Sequence, residues 1–204
     1  MITGSLLENY MMCDMRALLS YERSLETPVR PVQGKARRIT GVLMSLSSQG
    51  GRYRLVRRRY TGEVGGVAAA VTPDATILEG DRIVGFARFR VRENMRVYSS
   101  DYAPLMLAAL LAGLETGEAL LAVAVSRSVE KLGDAVRYLA VNGPAPHAGS
   151  DIVVSTRVYS KEETLRAVER LASIITGRLR PRGRPGSPAC NYCPYRDQCP
   201  LVNR

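Results

Sequence analysis

The sequence predicts a mixed α/β fold, in which a mixed central sheet is flanked by helices. Residues 52–92 carry β-branched and alternating side chains, and turn signals at Pro73–Asp74 and Gly80–Asp81 predict an antiparallel meander of strands. The strongly apolar residues 102–114 predict a helix that packs on a sheet face. Three further strands are predicted at residues 119–126, 136–141 and 152–159. Strands that are interspersed with helices in this way form layers of helix on sheet.

Amphipathic helices are predicted near both ends of the chain. Residues 6–24 place apolar side chains at helical spacing, so Cys13 is expected on or beside a helix. A Pro-containing loop at residues 27–34 follows, and residues 35–48 resume a mixed helical pattern. The later helix is predicted to begin with a capping box at Ser160.

The charge balance favours an acidic partner, and nucleic acid is the first candidate. The chain has 29 basic and 19 acidic residues and a net charge of +10. Nearly all the basic residues are arginines, whose guanidinium groups suit bidentate phosphate contacts. A basic surface without such a partner is the alternative. One histidine and no tryptophan leave little material for histidine-based catalysis, and the ten tyrosines are scattered rather than grouped as a stacking platform.

No feature of the sequence indicates a membrane or secretory protein. The longest apolar run falls short of the roughly 18 residues of a membrane span. The N-terminus lacks the basic start and the cleavage site of a signal peptide. We therefore expect a soluble, cytoplasmic protein without a membrane partner, and the sequence leaves its oligomeric state open.

Four cysteines form the strongest signal in the sequence. Cys190, Cys193 and Cys199 have the spacing C-x2-C-x5-C, in which a Cys-x-x-Cys turn directs two thiolates to one centre and a third arrives one short loop later. Cys13, far upstream, is the remaining cysteine. Four is the number needed for a tetrathiolate iron–sulfur cluster, which would tie the N-terminal helix to the C-terminal segment. Both [4Fe–4S] and [2Fe–2S] clusters use four cysteines, and we favour [4Fe–4S].

Zinc and disulfides are the alternatives at the cysteines. Structural zinc accepts four thiolates, but its usual signature is two paired knuckles, and Cys13 has no cysteine near it in the sequence. Disulfides are unusual in cytoplasmic proteins outside hyperthermophiles, and the charge-rich, Arg-rich composition is compatible with such a source.

The order of these parts resembles the CRISPR-associated RecB-like exonucleases, the Cas-four family of the PD-(D/E)XK superfamily. Its members carry a cysteine near the first helix, a nuclease core, and a Pro-rich approach to three clustered cysteines, similar here to RPGSPACNYCPYRDQC. The resemblance implies a RecB-type, restriction-endonuclease-like core at residues 49–178. An N-terminal helical segment with one cluster cysteine would precede it at residues 1–48. A basic, Pro-rich linker with the three-cysteine knuckle would follow at residues 179–204.

The nuclease motifs of that family are missing from this sequence. The family core places an Asp on one strand and Glu-x-Lys on the next, where the acids hold a divalent metal. The first strand resembles GGVAAAV here, with Ala68 in place of the Asp, and the second resembles RIVGFARFRV, which has no carboxylate. No (D/E)-x-K occurs anywhere in the chain, and Met106 stands where the family has a helical Gln. We therefore expect no catalytic residue and no catalytic Mg²⁺ or Mn²⁺.

Arginines are the candidates for contact with DNA. If metal ligands are replaced by Ala and Arg, the cleft that held cations can hold phosphates directly. One group is expected on a single strand, and another on one face of a second strand, since side chains two residues apart share a face. A solvated outer face of the sheet is the alternative. The two groups are Arg57, Arg58 and Arg59, and Arg88, Arg90 and Arg92.

These observations predict a catalytically inactive, iron–sulfur-stabilised DNA-binding or scaffold subunit of a larger DNA-processing complex. By resemblance, that complex performs CRISPR spacer acquisition and the protein partner is its integrase; a replication or repair assembly is the other possibility. One alternative is an interaction scaffold that never touches nucleic acid. Another is an active, metal-dependent exonuclease on single-stranded DNA, with acids at unexpected positions: Glu63, Asp74, Glu79 or Asp81.

Overall fold

The computed structural model describes residues 1–26, 41, 52–126, 129–183 and 187–202. In these ranges a mixed sheet is flanked by helices, which confirms the mixed α/β class. The loop predicted at residues 27–34 lies outside the described residues, as does the helix predicted at residues 35–48 apart from residue 41. No helix in the described ranges is long and apolar enough to cross a membrane.

The described part of the chain has nine strands and five α-helices. The strands are β1 (Ile2–Thr3), β2 (Arg54–Val56), β3 (Tyr60–Val64), β4 (Val67–Val71), β5 (Ala75–Glu79), β6 (Arg82–Val91), β7 (Ala119–Val125), β8 (His147–Ala148) and β9 (Ile152–Val158). The helices are α1 (Gly4–Met12), α2 (Asp14–Glu26), α3 (Ala103–Leu111), α4 (Val129–Asn142) and α5 (Lys161–Ile175). The strands predicted at 119–126 and 152–159 and the helix predicted at 102–114 are therefore confirmed, each with slightly shorter bounds.

The larger sheet has six strands in the order β2-β5-β6-β7-β9-β8. Its central pair, β6 and β7, is parallel, and the other neighbours are antiparallel. A parallel pair requires a crossover connection, and α3 supplies it. The predicted hairpin at Gly80–Asp81 is confirmed, because it joins β5 to β6.

A second, three-stranded sheet has the order β1-β4-β3. β3 and β4 form a hairpin, whereas β1 pairs in parallel with β4 through Ile2 and Thr3. The single meander predicted for residues 52–92 is therefore wrong, because its strands are divided between two sheets. Turn signals report only pairing between sequence neighbours, so they do not reveal the pairing of β4 with the start of the chain.

Different helices cover the two faces of the larger sheet. Successive residues of a strand point to opposite faces. Phe86 and Leu120 join the buried side chains of α1, α3 and α5 on one face, and Phe89 and Leu121 pack with α4 on the other. Most of α3 is buried, which explains why its sequence is apolar on all sides rather than amphipathic.

Residues 136–141, which were predicted as a strand, belong to helix α4. The buried positions of α4, among its residues 131–142, are Leu132, Ala135, Val136 and Leu139. Their spacing of three, four and seven residues is that of one helix face. The predicted strand covered only six residues, a window too short to separate a helical period from a run of β-branched side chains.

The first residue of α5 follows the cap that the sequence predicts. Ser160 Oγ accepts a hydrogen bond from the Glu163 N–H at 3.3 Å. The Glu163 carboxylate pairs with Arg157 of β9 at 2.6 Å. The serine half of the predicted capping box is confirmed, whereas the Glu163 carboxylate connects the start of the helix to the sheet.

We expect Leu107→Ala to lower the free energy of unfolding by about 2–5 kcal/mol, because Leu107 is fully buried on α3 and its truncation leaves a cavity. Leu25→Ala is the matched control, since Leu25 is 67% exposed on α2, and it should change stability by less than about 0.5 kcal/mol. Urea denaturation followed by circular dichroism measures both. Equal losses would contradict the burial of α3 between the sheet and its neighbouring helices.

Candidate metal centre and nucleic-acid interface

Cys13 lies at the break between α1 and α2. Its backbone is extended (φ −169°, ψ 132°), and its N–H donates to the carbonyl of Asn9 at 3.0 Å. Its own carbonyl accepts from the Ala17 N–H at 3.1 Å. The single helix predicted at residues 6–24 is thus two helices, and the placement of Cys13 beside a helix is confirmed.

The other three cysteines lie in the C-terminal knuckle, residues 187–202, which contains two short 3-10 helices. Cys190 lies within the first of these, Pro188–Tyr192, and Cys193 follows its end. Cys199 follows the second, Arg196–Gln198. The Cys193 N–H donates to the carbonyl of Cys190 at 3.2 Å, so the turn between the two cysteines is closed by a backbone hydrogen bond.

All four cysteines line one cavity, the cysteine cavity, between the N-terminal helices and the C-terminal knuckle. The unfilled space of the whole cavity, together with its opening to solvent, amounts to about 570 Å³. Arg16 and Arg196 also line it. The apolar part of the wall consists of Met12, Met15, Leu19, Ala189, Leu201 and Val202. The fold therefore brings a cysteine from one end of the chain to the three at the other end.

The donor set of the cysteine cavity fits an iron–sulfur cluster. Soft thiolate ligands select iron–sulfur clusters, zinc or copper(I), and each of the four cysteines is partly exposed. Two cationic residues, Arg16 and Arg196, line the same cavity, in which a bound cluster would be anionic. No disulfide joins the cysteines, and no three Cys, His, Asp or Glu side chains among the described residues are grouped so as to hold a single metal ion. The role of the cysteines as ligands stays a prediction.

The basic linker, residues 178–183 in the described part, is fastened beside Cys13. The Asp14 carboxylate accepts from Arg170 of α5 at 2.6 Å and from the backbone N–H of Arg182 at 3.0 Å. Arg178 donates to the carbonyl of Gly65, in the turn between β3 and β4, at 3.0 Å. These residues form no helix or strand, as the sequence predicts, yet they are attached to the core at two points.

Arg57, Arg58 and Arg59 lie between β2 and β3, so their predicted placement on a strand is wrong. All three side chains are exposed, and none forms an ion pair with another described residue. Because the side chains of a strand alternate between its faces, three consecutive charges on a half-buried strand would place one in the core. The connection between the strands avoids that cost.

Arg88, Arg90 and Arg92 form a row along β6 and the residue after it, and acids cover this row. The Glu8 carboxylate of α1 accepts from Arg88 at 2.7 Å and from Arg90 at 2.6 Å. Asp101, before α3, accepts from Arg90 at 3.3 Å and from Arg92 at 2.6 Å. The shared face is confirmed by these shared partners. Glu8 and Asp101 offset two of the three positive charges of the row, and the contact of the row with DNA stays a prediction.

Burial and neighbouring charges shift the pKa values of Asp101 and Arg88 in opposite directions. Burial alone would raise the pKa of Asp101, which is 1% exposed, but hydrogen bonds from Arg92 and from the Tyr98 N–H, with the charges of Arg92 and Arg90, bring that pKa below its ordinary value. Burial lowers the pKa of Arg88, and the carboxylate of Glu8 opposes that shift. The ion pairs therefore stabilise charges that burial would otherwise disfavour.

The two strands that resemble the nuclease strands of the family, β4 and β6, lie in different sheets. Ala68 is exposed and lies on β4 of the smaller sheet, whereas β6 belongs to the larger sheet. Asp74 precedes β5, and its Oδ2 accepts from the Phe89 N–H at 2.9 Å. Asp74 and Arg88 line a cleft of about 970 Å³ that is partly open to solvent. Asp74, which the sequence predicts as a turn residue, therefore lies beside β6, the strand that resembles the Glu-x-Lys strand of the family.

The other acids proposed for an active enzyme do not line this cleft. Glu63 is exposed on β3 of the smaller sheet. Glu79 pairs with Arg52 at 2.8 Å, and Asp81 pairs with Arg54 at 3.2 Å, at the exposed β5–β6 turn.

Sequence reasoning missed Glu8 and Asp101, the two acids that pair with the arginine row. Glu8 lies on a different element from Arg88 and Arg90, so no local spacing in the sequence connects them. Asp101 lies closer in sequence, but only its burial distinguishes it from a surface acid. The surplus of arginines in RIVGFARFRVR was a signal that buried counter-ions were needed.

We expect Asp101→Asn to lower the free energy of unfolding at pH 7 by about 3 kcal/mol, because it leaves the partly buried Arg92 without its charged partner. A lowered pKa in the folded state stabilises the protein above the unfolded pKa of about 3.9, and this contribution is lost as the pH falls through the folded value. The difference from wild type should therefore shrink below about pH 4 in urea denaturation.

Asp81→Asn is the matched control, because Asp81 is fully exposed beside Arg54, and it should leave stability nearly unchanged at each pH. A pH-independent loss in Asp101→Asn would show that the carboxylate charge is not what stabilises this region.

Comparison with known proteins supports the fold alone. No protein-family model matches the chain, and no curated protein matches it. The crystal structure of a protein designated SSO0001 is similar, with a TM-score of 0.50 and 14% sequence identity. The match covers 98% of this chain and 85% of that one. At this sequence identity, the similarity shows a shared fold over nearly the whole length of this chain and nothing more.

Proposed function

We propose that the chain is an iron–sulfur-stabilised, catalytically inactive subunit with a RecB-type, nuclease-like core, which binds DNA within a larger DNA-processing complex. The observation that carries the proposal is the meeting of all four cysteines at one cavity between the two ends of the chain. By its resemblance to the Cas-four family, the complex would be that of CRISPR spacer acquisition, with the integrase as partner. A replication or repair assembly is the other setting.

A cluster would act here as a cross-link. Cys13 would hold it from the break between α1 and α2, and Cys190, Cys193 and Cys199 from the C-terminal knuckle. Metal binding at a site that does not exist in the unfolded chain contributes directly to folding. Zinc is the alternative occupant, because it also accepts four thiolates.

The absence of nuclease motifs supports an inactive core. β6, where the family has its Glu-x-Lys, carries Arg88 and Arg90, and Glu8 pairs with both. These ion pairs support a structural role for the strand in the proposal.

DNA contact is proposed first through Arg57, Arg58 and Arg59. They are exposed and have no ion-pair partner among the described residues, so phosphate can reach them without displacing a carboxylate. A phosphate at the row of Arg88, Arg90 and Arg92 would have to compete with Glu8 and Asp101. These three are therefore secondary contacts in the proposal.

One observation favours a second candidate, an active exonuclease on single-stranded DNA. Asp74 is the one of its four proposed acids that lines the cleft with Arg88 in the described structure. Mg²⁺- or Mn²⁺-dependent degradation of single-stranded DNA by purified protein, abolished in Asp74→Asn, would establish the enzyme and overturn the inactive assignment. No degradation with either metal supports the inactive subunit.

We expect Cys13→Ala and Cys190→Ala each to lower the melting temperature by about 10 °C, because either change removes a ligand from the proposed cross-link. Both should also abolish a broad absorption near roughly 400 nm in anaerobically purified protein. Ser24→Ala, at an exposed position of α2, is the control and should change neither property.

Elemental analysis of the wild-type protein decides the occupant of the cysteine cavity. Iron with sulfide is the expected result. Zinc without sulfide would show that the cavity holds a structural zinc ion and not an iron–sulfur cluster. Unchanged melting in both cysteine variants would contradict closure of the chain through this cavity.

We expect simultaneous change of Arg57, Arg58 and Arg59 to Ala to weaken DNA binding and to reduce the slope of log K against log salt by about 2–3, since each phosphate contact contributes about 0.9. Fluorescence anisotropy between 50 and 200 mM salt measures the slope. The control removes the same charge from three scattered exposed positions, Arg82, Arg137 and Arg166. Equal effects of the two triple variants would refute a localised contact, and salt-independent or absent binding would favour the scaffold without nucleic acid.

A further inference from the structure

Tyr192 is the most exposed large hydrophobic side chain of the described residues, at 87%. It lies in the 3-10 helix Pro188–Tyr192, between Cys190 and Cys193, both of which line the cysteine cavity. An aromatic side chain loses much favourable burial when it stays in water. Its place on a closed turn between two cavity residues holds it in a defined position, which suits a contact surface.

Exposed arginines lie on the knuckle that carries Tyr192 and on the linker that contacts this knuckle. Arg180 and Arg182 of the basic linker and Arg196 of the knuckle are exposed, and none has an ion-pair partner among the described residues. The linker reaches the knuckle because Gly183 lies directly against the side chain of Leu201, leaving no room for a Cβ. Gly183 and Arg196 also line the same cavity. The two 3-10 helices of the knuckle pack together, so Arg196 lies on the same small unit as Tyr192, and the two linker arginines lie on the segment that contacts this unit.

The linker arginines are held by their backbone and not by their side chains. The Arg182 N–H donates to Asp14, which leaves the Arg182 guanidinium available to solvent. An exposed ring combined with exposed arginines suits single-stranded nucleic acid, because unpaired bases stack on a ring while cations contact the phosphates. A duplex presents its bases stacked inside and offers only its phosphates to this surface.

We propose that Tyr192, with Arg180, Arg182 and Arg196, forms a contact for single-stranded nucleic acid, with Tyr192 as a platform on which one base stacks. This contact is additional to Arg57–Arg59 and rests on the proposed binding of DNA. The phosphate contacts account for affinity to any strand, whereas the ring distinguishes unpaired from paired bases.

The test compares Tyr192→Ala, Tyr192→Phe and the wild-type protein on a fluorescein-labelled 20-nucleotide oligothymidylate and on a duplex of the same length, by fluorescence anisotropy. Tyr192→Ala should weaken single-strand binding about fivefold or more and change duplex binding less than twofold. Tyr192→Phe keeps the ring and should retain single-strand affinity within about twofold. Val141→Ala, an exposed apolar position on α4, is the surface control and should match wild type.

The outcomes separate this inference from the proposed function. The stacking contact is overturned if Tyr192→Ala binds the single strand as tightly as wild type does. It is also overturned if Tyr192→Ala weakens binding of the single strand and of the duplex equally. In both cases the proposed binding of DNA stands. A loss in Tyr192→Phe equal to that in Tyr192→Ala also overturns the stacking contact, because the ring would then not be the contact. No binding of either probe by wild type overturns both proposals. Iron content equal to wild type in each variant shows that the knuckle is intact.

Discussion

The docking of helix α1 against the start of α3 is the constraint on which most of the structure depends. Gly4 lies so close to α3 that a Cβ at this position would approach the Cβ of Pro104 to 2.8 Å. Leu7 is fully buried beside this contact. A helix held this closely positions both of its functional residues: Glu8 pairs with the arginines of β6, and Cys13, just past its end, lines the cysteine cavity. The interior ion pairs and the proposed metal centre therefore share one support.

Two groups of arginines in the described part of the chain have different physical roles. Those on β6 are paired with acids and largely buried, where removal of one partner would leave an uncompensated charge. Those between β2 and β3 and on the basic linker are exposed and available to an anionic partner. The exposed group contributes more to the long-range field that would attract an anionic partner, because acids offset most of the charge of the buried group at close range.

Segments with a clear period could be predicted from the sequence, and those decided by distant contacts could not. β7, β9, α3 and α5 follow local patterns, and the cap of α5 follows from Ser160. The division of residues 52–92 into two sheets, and the helical state of residues 136–141, depend on which surface each segment packs against. At the site, the candidate cysteines could be selected by spacing, but Glu8 could not, because its partners lie on another element.

The sequence by itself determined the chemistry of this protein: four thiols, a surplus of arginine, and a chain without the acid and lysine pattern of the nuclease motif. Those are properties of composition and local spacing, which need no fold to exist. Only the tertiary structure decided which groups meet: that Cys13 reaches the knuckle, that acids cover one row of arginines and leave another open, and that Tyr192 stays exposed. These tertiary contacts depend on the burial of apolar faces between elements that are distant in sequence, and local periodicity does not predict them.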